Sequence, residues 1–106
     1  MKESYNRVDD NIIISFNNES LIPDLFGQFD KNLRRIEYLL NVNLHGRGKN
    51  VSISGEKALL AKNVLNDLYG QLEKGFDVDF EEVDASIRMN SVKNNFIKKI
   101  GDETPL

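Results

Sequence analysis

One amphipathic helical pattern constrains the fold more than any other feature of this sequence. From Glu56 to about Lys74 the apolar residues recur at intervals of three and four, so they share one face of a helix: Ala61, Val64, Leu65, Leu68 and Leu72. Gly75 predicts the end of this helix. A helix with one apolar face must bury it against another layer, which the rest of the chain has to supply.

Three short segments have the pattern of β-strands. Residues 11–16, read as NIIISF, form a β-branched run that ends before two asparagines. Residues 42–45 and 50–54 alternate apolar and polar residues, as half-buried strands do. The tetrapeptide GRGK between them suits a hairpin turn. We therefore predict an antiparallel sheet of three strands.

Two helices are predicted between the first two strands. Ser20 can cap a short helix over residues 21–26, which Gly27 ends. Asp30 can cap a second helix that runs to about Leu40. Its buried face is predicted to hold Leu33, Ile36 and Leu40, and its water-facing side Arg34, Arg35 and Glu37. Tyr38 on this helix and Tyr69 on the long helix are predicted to be partly buried packing residues.

The C-terminal part of the chain is predicted to add helix to this core. Asp79 can cap a helix to about Met89, and residues 92–100 continue as an amphipathic segment. The predicted class is α+β, in the order strand–helix–helix–strand–strand–helix with an extra C-terminal helix and one sheet backed by helices. Residues 1–10 and 101–106 are predicted to be flexible tails.

The residue types exclude most catalytic chemistry from this domain-sized chain of 106 residues. With no cysteine there is no disulfide, zinc–thiolate site or cysteine nucleophile, and His45 alone supplies neither a histidine metal cage nor a serine-type triad. We therefore predict no catalytic residue and no metal site. The first residues lack the apolar region of a secretory signal, and no apolar run is long enough for a bilayer. These features predict a cytoplasmic protein with no membrane contact.

Charge is unevenly distributed along the chain. Residues 27–49 carry net +3, and residues 72–84 carry net −5. The basic segment can attract phosphate, although solvated helix surfaces carry such charges too. The acidic residues of the second segment lie at a predicted helix start, where the helix dipole favours them, and their spacing is not that of an EF-hand.

Gly48-Lys49 resembles the end of a nucleotide-binding Walker A loop. That loop needs a glycine five residues before its second glycine and a hydroxyl residue after the lysine. Asn43 and Asn50 occupy those positions here. We therefore exclude ATP binding by this segment, which a hairpin turn explains.

The most informative stretch, residues 25–36, places a tight glycine turn between two short helices. Backbone N–H groups at a helix start, with lysine and arginine nearby, suit a phosphate group. The arrangement is that of a KH module, whose loop clamps single-stranded RNA, or else of an ordinary helix–turn–helix corner. The candidate nucleic-acid-binding residues are Gly27, Gln28, Lys31, Arg34 and Arg35, with Arg47 and Lys49 from the hairpin.

Four segments resemble the PhoH family in the same order: LFGQFDKNL with Ile36-Glu37, GRGKNVSISG, VLNDLY and DASIRM. The resemblance covers roughly residues 10–90. It implies a KH-like N-terminal domain, placed at residues 11–75, and an additional helical segment at 76–100. It also implies a cytoplasmic role in RNA metabolism, a link to phosphate starvation, and a following RecA-like ATPase that uses ATP and magnesium. This chain lacks that ATPase and would be a domain fragment with no cofactor of its own.

One residue departs from the KH pattern Gly-x-x-Gly, because Asp30 stands where the second glycine would be. A carboxylate there would repel phosphate. Two functions follow. The first is an RNA-binding module without catalytic activity. The second, motivated by Asp30 and the acidic stretch, is a protein-interaction domain that docks the ATPase or an RNA-processing partner through the apolar face of residues 92–100 or an exposed sheet edge.

Overall fold

The computed structural model describes residues 11–103, with side chains described as far as Lys93. Its strands and helices are β1 (Asn11–Ser15), α1 (Ile22–Phe26), α2 (Lys31–Leu40), β2 (Asn43–Arg47), β3 (Asn50–Ser54), α3 (Ala58–Glu73) and α4 (Phe80–Glu103). Single 3-10 turns, Glu19–Leu21 and Gln28–Asp30, precede α1 and α2. The order of elements confirms the predicted KH-like α+β class.

The sheet has the order β1-β3-β2, with β3 antiparallel to both neighbours. Ile53 of β3 lies between Ile12 of β1 and Leu44 of β2. One face of the sheet is covered by the helices, so Val51 and Ile53 are almost fully buried. The predicted three-stranded antiparallel sheet is therefore confirmed, and β1 and β2 form its two edges.

Helix α3 forms the centre of the helical layer. The apolar face predicted for it is buried throughout: Ala61, Val64, Leu65, Leu68 and Leu72. Tyr69 is also buried, as predicted, and its hydroxyl accepts a hydrogen bond from the backbone N–H of Asn18 at 2.8 Å. Helix α4 packs on the other side of α3, and its residues Val83 and Ser86 are buried. Every layer thus contacts α3, as an apolar helix face requires.

Two predicted helix caps are wrong. Asn18, rather than Ser20, caps the first helical turn, since its side-chain oxygen accepts from the backbone N–H of Ser20 at 3.0 Å. Asp30 precedes α2 but makes no side-chain cap, because its φ of 58° is left-handed. An N-cap needs an extended backbone to turn its side chain onto the helix N–H groups.

The cap predicted for α4 is confirmed. Asp79 accepts from the N–H of Phe80 at 2.8 Å, and Glu82 accepts from the N–H of Asp79 at 2.8 Å. The helix then continues without a break to Glu103, beyond the ends predicted at Met89 and residue 100. Residues 101–103, predicted as tail, are therefore helical.

Some predictions fall outside the described part of the chain. These are the tail at residues 1–10, residues 104–106, and the side chains of Phe96, Ile97 and Ile100 on the predicted amphipathic segment.

Candidate nucleic-acid interface

A left-handed loop joins α1 to α2 and begins at Gly27. The N–H of Gly27 closes α1 by donating to the carbonyl of Pro23 at 2.9 Å. Its φ is 83° and its ψ 165°, a region that only glycine adopts without strain. A Cβ atom there would lie 2.9 Å from both Asn32 Nδ2 and Lys31 Cγ. Glycine is therefore required at position 27 by conformation and by space.

The next loop residues keep the unusual backbone. Phe29 and Asp30 have φ of 56° and 58°. Aspartate tolerates the left-handed region better than most residues, so Asp30 preserves the backbone of a position where the KH pattern has glycine. The ring of Phe29 is 89% exposed at the tip of this loop. We refer to residues 27–30 as the glycine loop.

Asn32 supports the glycine loop from beneath and was missed by the sequence analysis. It is fully buried, and its Nδ2 donates to the carbonyl oxygens of Leu25 at 3.2 Å and Val78 at 3.4 Å. One amide thus joins the end of α1 to the segment that precedes α4. An asparagine between Lys31 and Leu33 gives no sequence signal of burial, because polar residues on helices are usually exposed.

All three cations predicted on α2 are paired with carboxylates. Lys31 Nζ lies 2.6 Å from Asp79 Oδ1, and Arg34 Nη1 lies 3.1 Å from Glu37 Oε1. Arg35 donates two hydrogen bonds of 2.8 Å to Asp84. The prediction that Arg34, Arg35 and Glu37 all face water is wrong for the last two, which are half-buried. The sequence could not show that the acidic stretch folds onto the basic one.

Phe80 completes the contact between α2 and α4. Lys31 Nζ lies 5.0 Å from the centre of its ring, and the guanidinium carbon of Arg35 lies 4.7 Å from it. Both distances are within the range of a cation–π interaction. Asp79, Phe80 and Asp84 thus hold two of the candidate cations.

Arg34 is in a different situation. Its side chain is 63% exposed, and its partner Glu37 uses the second carboxylate oxygen to accept from the backbone N–H of Leu44 at 2.8 Å. Glu37 therefore lies against the edge strand β2. An exposed pair between residues three apart contributes little stability, so Arg34 can exchange its partner at small cost.

Two exposed aromatic rings flank Arg34 along the chain. Phe29 precedes it in the glycine loop, and Tyr38 follows one helical turn later with 83% of its surface exposed. The prediction of a partly buried Tyr38 is wrong, because the buried stripe of α2 is already filled by leucine and isoleucine. The four-residue spacing of Arg34 and Tyr38, which places both on one helix face, was the signal that could have found it.

The hairpin between β2 and β3 packs against the C-terminal end of α1, next to the glycine loop. A Cβ atom on Gly46 would lie 2.5 Å from Cε2 of Phe26, so the Phe26 ring fills the space above Gly46. Arg47 and Lys49 are exposed at this hairpin, and the ion pairs of residues 11–93 do not include either of them. The structure therefore brings Gly46, the neighbour of Arg47, against Phe26, the neighbour of Gly27.

Potential metal ligands are dispersed over the described part of the chain. Within residues 11–93 no three His, Cys, Asp or Glu side chains converge as metal ligands would. His45 is exposed on the edge strand β2. Across the described residues, every helix is too short or too polar to cross a bilayer.

Comparison with known proteins finds PhoH-like relatives. The chain is 35% identical over 71 residues to a PhoH-like protein of Mycobacterium leprae (strain TN) and 37% identical over the same length to those of Mycobacterium tuberculosis (strain ATCC 25618 / H37Rv) and Mycobacterium bovis. The chain is related to the PhoH-like proteins. In each case the match covers 65% of this chain and 20% of the PhoH-like protein, so the chain corresponds to about a fifth of these relatives. No family model and no solved structure matches it.

The pair between Arg35 and Asp84 predicts a pH dependence of stability. The hydrogen bond from Arg35 holds the pKa of Asp84 below its ordinary value, and the charges of Arg35 and Arg88 act in the same direction. The unfolded chain therefore takes up this proton first as the pH falls. The pair contributes fully above about pH 4, the unfolded pKa, and its contribution is lost as the pH falls through the folded pKa.

We expect the urea midpoint of the Asp84→Asn variant to fall less steeply below about pH 4 than that of the unchanged chain. Asp77→Asn is the control, since this exposed carboxylate makes none of the described ion pairs. Equal slopes for the Asp84→Asn variant and the unchanged chain would show that the pair is not formed in solution.

Proposed function

We propose that this domain binds single-stranded nucleic acid, and RNA in particular, through the exposed surface of the glycine loop and α2. The observation that carries the proposal is the exposure of Phe29 and Tyr38, which precede and follow the exposed Arg34 along the chain. We call these three residues the aromatic–basic face. Aromatic rings alternating with a cation are the elements by which proteins bind single strands without a duplex, because bases stack on rings and phosphates pair with cations.

The phosphate contacts divide into two groups. In the proposal, Arg34 contacts the phosphate backbone of the nucleic acid between the two stacked bases. Arg47 and Lys49 contact the same backbone from the hairpin. Gly27 and Gln28 supply the close backbone approach of the loop, with Lys31 at the start of the helix. Arg35 acts differently from the original prediction, since its bidentate pair with Asp84 makes it part of the framework. Binding then relies more on stacking than in a loop clamp built on cations alone.

The relation to PhoH-like proteins gives this binding a context. In the proposal the domain holds RNA and performs no chemistry, and the ATPase that the family resemblance implies, with its ATP and magnesium, acts on what the domain holds. An RNA-processing partner and a cytoplasmic location fit the same role. The fold by itself would not assign it, because one fold serves many functions.

The test is a fluorescence anisotropy titration with a labelled single-stranded RNA at low and moderate salt. We expect Phe29→Ala and Tyr38→Ala each to weaken binding about tenfold, since stacking contributes roughly 1–3 kcal/mol per base. Arg34→Ala should weaken binding and lessen its dependence on salt. The matched control is Phe76→Ala, which removes another exposed ring outside the aromatic–basic face.

The proposal predicts that Phe29→Ala and Tyr38→Ala weaken RNA binding and that Phe76→Ala does not. Equal affinities for all three variants, or no binding by the unchanged chain even at low salt, would overturn it.

A further inference from the structure

The acidic start of α4 lies directly on two cations of α2. Asp79 pairs with Lys31, Asp84 pairs with Arg35, and the Phe80 ring lies against both cations. These contacts join segments about 48 residues apart along the chain, so they are a product of the fold. Each carboxylate takes the position on its cation that a phosphate oxygen would take.

The two ion pairs differ in how firmly they are held. Asp84 is next to Val83, which is fully buried, and Ser86 two residues later is buried and donates to Asp67 at 2.6 Å. The backbone around Asp84 is therefore fixed. Asp84 and Arg35 are also each only about one-third exposed.

Asp79 is the residue immediately before α4, and the rest of the protein encloses it less than it encloses Asp84. Its side chain is 63% exposed and that of Lys31 is 40% exposed. Pairs as exposed as this contribute little stability in solution. A phosphate group can therefore compete with Asp79 for Lys31, whereas it cannot readily separate Arg35 from Asp84.

We propose that Asp79 is an intramolecular competitor of phosphate that lowers the affinity of the nucleic-acid interface, with the Asp84–Arg35 pair as its fixed anchor. This inference rests on the proposed function and adds its regulation. Lys31 is the cation whose availability changes: it is held by Asp79 in the free domain and passes to the phosphate backbone in the complex. Removing the Asp79 charge should release Lys31 without moving α4.

The Asp79→Asn variant isolates the charge. Asparagine caps helices as well as aspartate does, so the hydrogen bond from the N–H of Phe80 is retained. Asp77→Asn is the matched control, because it makes the same change of net charge two residues away in a position outside the described ion pairs. Lys31→Ala in each background completes the comparison.

The experiment is a titration of a labelled single-stranded RNA at low salt. We expect Asp79→Asn to bind roughly three- to fivefold more tightly than the unchanged chain, because the competition of an exposed pair is weak, and Asp77→Asn to bind less than about twofold more tightly. Lys31→Ala should abolish the gain of Asp79→Asn and have a smaller effect in the unchanged chain.

The outcomes separate this inference from the proposed function. If the unchanged chain binds through Phe29 and Tyr38 but Asp79→Asn gains no more than Asp77→Asn, the competitor is disproved and the binding function stands. If the unchanged chain binds, Asp79→Asn binds more tightly than both the unchanged chain and Asp77→Asn, and Lys31→Ala removes that gain, both are supported. If neither chain binds, both are overturned.

Discussion

Replacement of Gly27 by alanine is expected to lower the free energy of unfolding by about 3 kcal/mol and the Tm by roughly 15 °C. Two effects add. The backbone at φ 83° and ψ 165° is strained for any residue with a side chain. The new methyl group would also lie within 3 Å of the Asn32 amide, which is buried and held by two carbonyls. Moving that amide would leave those carbonyls unsatisfied.

Gly70→Ala is the matched control for this variant. Gly70 lies inside α3 and a Cβ atom there would meet nothing within 4 Å. Alanine is the better helix former, so this change should raise stability by about 0.5–1 kcal/mol. Thermal unfolding followed by circular dichroism compares the two variants. Similar Tm values for Gly27→Ala and Gly70→Ala would mean that the glycine loop does not have the described conformation.

Asn32→Asp is expected to destabilise the chain by about 3–5 kcal/mol at neutral pH, the range for a buried charge without a partner. The change is nearly isosteric. Where the amide now donates to the carbonyls of Leu25 and Val78, the variant carries a carboxylate oxygen that repels both. The site has no water contact to lower the penalty, because Asn32 is fully buried.

The control for this second variant is Asn63→Asp on the exposed side of α3. It introduces the same charge and should change stability by less than about 0.5 kcal/mol. Urea unfolding of both variants measures the difference. An Asn32→Asp variant with the midpoint of Asn63→Asp would show that the amide does not make its two hydrogen bonds in solution.

The sequence was a good guide to the elements and a poor guide to the contacts between them. The α3 face and the β3 strand could be predicted because burial imposes a period on apolar residues, and that period is visible in one dimension. The pairing of Arg35 with Asp84 has no such period, since it depends on how α4 crosses α2. The sequence therefore could not show that Lys31, Arg34 and Arg35 are paired with carboxylates.

Loop conformation set the second limit. Asp30 is a residue type typical of an N-cap, yet Phe29 and Asp30 both have a left-handed backbone, and the Asp30 side chain makes no cap hydrogen bond. Local propensity suggested the cap, and the geometry of the turn overrode it. The exposure of Phe29 follows from the same turn.

The contact of the Glu37 carboxylate with β2 affects how the protein behaves at high concentration. An edge strand exposes main-chain groups to which a strand of another molecule can add, and this addition is a common first step of aggregation. Glu37 occupies the N–H of Leu44 and places a charge where an incoming strand would have to lie. The residue that pairs with Arg34 therefore also disfavours the addition of a strand at this edge of the sheet, for as long as Glu37 stays on β2.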